Sequence, residues 1–163
     1  MGTFKDTKEV YARVDFQIIR NGWCQCYWKR GILEQDLDWL VDQGYELASF
    51  DCHGLAHLMK QIKERFYFPD FFRPNFNALS DCLIDLEWRA IGLVVVFRSL
   101  DRLKREDAHT LMDVFVDLAR NKFLFGKRLL VLAQVDDPDF HLERLGGCDL
   151  PWNGREWLDA NRF

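Results

Sequence analysis

"FYFPDFFRPNFNALSDCLIDLEWRAIGLVVVF", residues 66–97, passes through three kinds of chain in succession. It opens with six aromatics in eleven residues, 66–76, interrupted by Pro69 and Pro74. Pro74 and Asn75 then mark a helix start, with Asn75 as the N-cap. Phe76, Leu79, Leu83 and Leu86, joined by Cys82, fall on one face and give that helix its core stripe. "GLVVVF" is a continuous apolar run, which predicts a strand covered on both faces.

The neighbouring segments extend this pattern. Downstream, "EDAHTLMDVFVDLARN" is helical, with Ala108, Leu111, Met112, Phe115, Leu118 and Ala119 inward, and "RLLVLAQV" is a second buried strand. Upstream, "YELASF" reads as a strand and "LAHLMKQIKERF" as a helix with Leu55, Leu58, Met59 and Ile62 inward. The order β-α-α-β-α-β predicts an α/β domain with a parallel sheet and crossover helices. Before it, "LEQDLDWLVDQG" predicts a helix with Leu33, Leu37, Leu40 and Val41 inward and Gly44 as its stop. "VDFQIIRNGWCQCYWK" predicts two short strands around an Asn21-Gly22 hairpin turn. The chain thus divides into an N-terminal extension of hairpin and helix (1–44) packed on the core, a central domain (45–135) and a C-terminal extension (136–163). That last segment reads as an ordered strap, because Trp152 and Trp157 are costly to leave wet.

Composition narrows the function. The chain has 163 residues with 48% apolar and 15% aromatic content, enough for one packed domain. A formal charge of −4 disfavours nucleic-acid binding and leaves a basic protein partner open. The five cysteines are odd in number, and residues 1–13 form a polar leader without an apolar signal-type core. Reduced thiols in a cytoplasmic protein are expected, and no run approaches a membrane span.

His53 and His57 stand four apart but have no third ligand arranged with them, so a surface or helix-start role is favoured over a metal site. Cys24 and Cys26 share one face of a strand and suit core packing better than zinc. No phosphate loop, nucleophile motif or cofactor signature occurs, and nothing supports an enzyme. Asn77, Asp81 and Asp85 are different. Their i, i+4, i+8 spacing aligns them opposite the core stripe, with no Lys or Arg before Arg89. Such a column is either a solvated polar face or an anionic surface for a cationic pocket. Some of Phe66, Phe68 and Phe72 must be core, while one or two rim aromatics would make a binding anchor. Asp113 and Asp117 repeat the i, i+4 spacing on the next long helix.

"FPDFFRPNFNALSDCLIDL", followed by "GLVVVF", "LMDVFVDLA" and "RLLVLAQ", resembles the barstar family of ribonuclease inhibitors over residues 45–134. The tail "QVDDPDF…WNGREWLDANR" is similar to the extension of longer bacterial members. The resemblance implies a barstar-like α/β fold with a three-stranded parallel sheet. It also implies an intracellular, non-enzymatic inhibitor that plugs a secreted ribonuclease's active site and needs no cofactor. Carried onto this sequence, the main inhibitory carboxylate is Asp81, the loop aromatic is Phe71, the loop asparagine is Asn75 and the acid on the next helix is Asp117. Asp85 extends the acidic face. Three positions depart from the family pattern: Asn77 replaces an acid, Arg73 a glycine and Ser80 a large aromatic. The expected partner is a nuclease or toxin protein with a basic active site, with no nucleic acid or membrane involved. Two alternatives stay open: an immunity protein on the same scaffold against a different toxin, and a non-inhibitory interaction module using the N-terminal segment and tail.

Overall fold

The computed structural model describes residues 12–142 and 149–157. Up to residue 11, the expected leader lies outside the described residues. So do Cys148, residues 143–148 and 158–163 of the expected strap, and the side chain of Trp157. Four strands, β1 (Cys24–Tyr27), β2 (Tyr45–Asp51), β3 (Gly92–Arg98) and β4 (Arg128–Gln134), form one sheet in the order β1-β4-β3-β2. Every neighbouring pair is parallel. Six helices accompany them among the described residues: α1 (Val14–Arg20), α2 (Arg30–Asp42), α3 (Leu55–Phe66), α4 (Phe76–Ile84), α5 (Arg105–Phe123) and α6 (Gly154–Trp157).

The sheet is covered on both faces, as the apolar runs predicted. Side chains alternate along a strand, so each strand feeds two cores. Val95 and Phe97 of β3, with Leu129 and Val131 of β4, pack with residues of α3, α4 and α5. Val94, Val96, Leu130 and Leu132 face the other way, against Ile18 and Ile19 of α1 and Leu33, Leu37 and Leu40 of α2. The stripe of α2 ends there. Val41, expected inward, is half-exposed, because it is rotated off the side holding Leu33, Leu37 and Leu40.

The expected hairpin is not formed. Residues Val14–Arg20 are helical, and the turn at Asn21-Gly22 ends that helix. The Trp23 N–H donates to the Ile18 carbonyl at 3.0 Å and the Gly22 N–H to that of Ile19 at 3.2 Å, the Schellman pattern. Gly22 takes φ 105°, which explains the misreading: Asn-Gly serves a hairpin turn and a helix stop for the same conformational reason. Cys24–Tyr27 then pairs with β4, a partner more than a hundred residues away in sequence. It adds a fourth strand to the expected three.

The strap, where described, lies along the free edge of β1. The Cys26 N–H donates to Pro151 and the Asn153 N–H to Cys26, at 2.7 and 3.0 Å, so the strap covers an otherwise unpaired edge. Glu156, buried, accepts from the N–H groups of Trp28 and Lys29, which have no helical partner before α2. Arg155 reaches Asp36 at 2.5 Å, and Asp36 also accepts from the buried Tyr27 hydroxyl. Burial raises the Asp36 pKa despite the opposing effects of the Tyr27 hydrogen bond and the Arg155 charge.

One close approach locks the N-terminal segment to the sheet. Asp15, fully buried on α1, accepts from the Tyr45 hydroxyl at 2.7 Å and from Arg13 at 3.0 Å, and lies 3.6 Å from Arg128. The Tyr45 ring passes over Gly92, where an added Cβ would collide with ring carbons Cε1 and Cδ1 and sit 3.1 Å from the Arg128 Cβ. The hydroxyl's bond to Asp15 prevents the ring from yielding freely. Gly92→Ala is therefore expected to lower stability by about 2 kcal/mol, read as a fall in urea midpoint with an unchanged slope.

Candidate functional site

The aromatic segment divides as its density requires. Phe72 enters the core, and Phe66 and Phe68 pack against it. Ring centroids run Phe50–Phe66 at 5.7 Å, Phe66–Phe68 at 6.0 Å and Phe68–Phe72 at 5.2 Å. Two rings stay outside: Tyr67 is 90% exposed and Phe71 82% exposed. Tyr67 ends α3 in the left-handed region at φ 56°, which turns the chain and points the loop away from the core.

Asn75 takes the predicted cap position. Its side-chain oxygen accepts from the Ala78 N–H at 2.8 Å with extended backbone geometry. The cap sets where α4 begins and hence where its polar side faces. Asn75→Ala is expected to cost about 1 kcal/mol, read as a lower thermal midpoint. Leu79 and Leu83 are buried, while Asn77, Ser80, Asp81 and Asp85 are exposed. The helix is shorter than the spacing suggested. It ends at Ile84, so Asp85 is the C-cap and Leu86 packs against the core from beyond the last turn.

This geometry concentrates negative potential. Asp81 and Asp85 occupy the C-terminal half of α4, where the helix dipole is also negative, and no basic residue lies in the last turn. Burial raises the Cys82 thiol pKa, and the charges of Asp81 and Asp85 push it further in the same direction. Glu87, two residues past the C-cap, pairs with Lys122 at 3.5 Å and with Lys127. Among the described residues, no ion pair is formed by Asp81, Asp85 or Asp117. Asp81 and Asp85 border an open groove of about 460 Å³, lined also by Phe66, Tyr67, Phe71 and Cys82 among others.

Asp117 is exposed on α5, which packs against α4. Arg73 is exposed in the loop, while its neighbour Asp70 lies 3.9 Å from Lys63. Tyr67 escaped the sequence reading. Its signal was weak: the only hydroxyl-bearing ring in the aromatic run, at the point where α3 ends.

His53 and His57, set aside from a metal site, are both exposed. The Nδ1 of His53 lies 3.0 Å from the Arg102 guanidinium. Cys24 and Cys26 are core residues, and burial pushes the Cys26 thiol far up and that of Cys52 to about 12. No cluster of three metal-ligating side chains, and no helix long and apolar enough to cross a membrane, occurs among the described residues.

Fold and surface together define a small parallel α/β protein with an acidic, aromatic-rimmed face on one short helix. Residues 43–134, more than half of the chain, match the family described as Barstar (barnase inhibitor), and the chain belongs to the barstar family. No curated protein matches it. The match spans β2 through β4, so α1, β1, α2 and the strap lie outside it.

Proposed function

We propose that this chain inhibits a ribonuclease by inserting the acidic face of α4 into a basic active site. The observation that carries this reading is the uneven use of cations: Glu87 receives two lysines, while exposed Asp81 and Asp85 receive none among the described residues. A nuclease that cuts RNA gathers Arg, Lys and His around the phosphate. Carboxylates held on a rigid helix can occupy that position and accept charge-assisted hydrogen bonds. Rigidity limits the entropy lost on docking. Asp117 extends the negative field and speeds encounter, as in the family prototype, which is an established example of electrostatic steering. Phe71 packs into an apolar recess and keeps water from the charge pairs, with Asn75 and Ser80 at its margin.

The test is titration of a panel of purified basic microbial ribonucleases, barnase among them, with this protein. At least one should lose RNA-cleaving activity stoichiometrically, more strongly at low salt. No loss across the panel at excess inhibitor would discard the ribonuclease reading. Arg73 and Asn77 favour a second reading on the same face, since Arg73 adds a cation in place of a glycine and Asn77 puts an amide in place of an acid. In that case the target is another toxin with a less basic surface, and reversal of the charge in Arg73→Glu would strengthen binding to barnase.

A further inference from the structure

The polar side of α4 continues onto α5. The exposed positions Asp117, Asn121 and Leu124 follow i, i+4, i+7 spacing and share one stripe of that helix. Lys122 ties the two helices together, donating to the Ile84 carbonyl at 3.3 Å. At this junction Ile84 is exposed, and Leu124 and Phe125 are 79% and 81% exposed. Two adjacent large apolar side chains project into water at a turn whose positive φ is supplied by Gly126 alone. Arg89, beyond α4, is exposed, but the cations near the end of α5 and in the turn after it are engaged within the chain. Arg120 lies over the Trp23 ring, Lys122 and Lys127 hold Glu87 and flank Trp88, and Arg128 faces Asp15. The junction therefore presents apolar surface bordered by uncompensated acids.

We propose that Leu124 and Phe125, with Ile84, form a second, apolar anchor for the same basic nuclease that docks on Asp81. The anchor rests on the inhibitor reading. A second copy of this chain fits the patch poorly. A two-fold contact centred there brings each copy's Asp85 and Asp117 toward like charges. A basic partner suffers no such repulsion, and an apolar ridge beside its cationic cleft would find Leu124 and Phe125 already in place.

The experiment measures affinity by titration calorimetry for the tightest-binding ribonuclease of the panel. It compares wild type, Asp81→Ala, and the double variant Leu124→Ser with Phe125→Ser, each first checked for an unchanged thermal midpoint. The double variant should bind about tenfold more weakly, with a deficit that persists in high salt, whereas the Asp81→Ala deficit shrinks there. Full affinity in the double variant, alongside weakened Asp81→Ala, overturns the anchor and leaves the inhibitor reading standing. Absence of wild-type binding to every member of the panel overturns both. Sedimentation of the free protein supplies the last arm: a dimer dissolved by the double substitution assigns the patch to a second copy and overturns the proposal.

Discussion

Asp81→Ala should weaken binding to the inhibited ribonuclease by at least about 2 kcal/mol, roughly thirtyfold. The size follows from what truncation leaves behind. In the proposed complex, the partner's phosphate-binding cations would be desolvated against α4, and removing the carboxylate would strand them without a counter-charge. The free protein should be almost unaffected, because Asp81 is exposed and supports no internal ion pair among the described residues. Its departure even relieves repulsion with Asp85 near the negative end of the helix. Inhibition assays and thermal melting should therefore separate, with potency falling sharply and the melting midpoint holding or rising. Equal potency in the variant would move the site elsewhere. Asn77→Asp gives the opposite sign. It restores an acid one turn earlier on the column and should tighten binding to a basic active site.

Asp15→Ala is expected to cost about 3 kcal/mol of stability. The carboxylate is fully buried, with Arg13, Tyr45 and Arg128 converging on it from three parts of the chain. Its loss leaves two guanidinium groups facing each other and a buried phenol without an acceptor. Burial alone would raise the Asp15 pKa. The hydrogen bonds from Arg13 and Tyr45, the Arg13 charge and the Phe16 N–H outweigh it, so the pKa lies below the ordinary carboxylate value. The sign of the linkage follows. Stability from this group is fully present above the unfolded carboxylate pKa of about 4 and is lost as pH falls toward the lower folded value. The stability difference between wild type and Asp15→Asn, measured by urea unfolding, should shrink below about pH 4. A difference that stays constant to pH 2 would show that the group stabilises by packing alone.

The Asp15→Ala and Gly92→Ala expectations meet at Tyr45, the first residue of the strand pairing with β3. Its hydroxyl is held by Asp15 and its ring lies over Gly92. Through these contacts the N-terminal helix is joined to the edge strand of the sheet within the family-matched region.

Much of the architecture could be read from residues 45–134, because its signals are local. Apolar runs such as 92–97 have no polar face to turn outward, so a strand there must be covered twice. Asn75 caps a helix through its own third neighbour, a contact that needs no distant partner. The exposure of Asp81 and Asp85 follows in the same way from the 3.6-residue period and the opposing leucines. Residues 14–27 were misread because Asn21-Gly22 permits two outcomes, both of which use the positive φ that Gly22 supplies. The choice depended on whether Cys24–Tyr27 met its upstream neighbour or β4. Burial of Ile18 and Ile19 against Val94, Val96, Leu130 and Leu132 favoured the helix, and a hairpin would have left α2 to cover that sheet face without them. The pairing of Glu87 with Lys122 and Lys127 had no sequence signature either, since it depends on where the end of α5 comes to rest. Spacing along the chain specified which carboxylates face outward, while long-range packing dictated which of them acquired a counter-ion, because counter-ions arrive only with the elements that carry them.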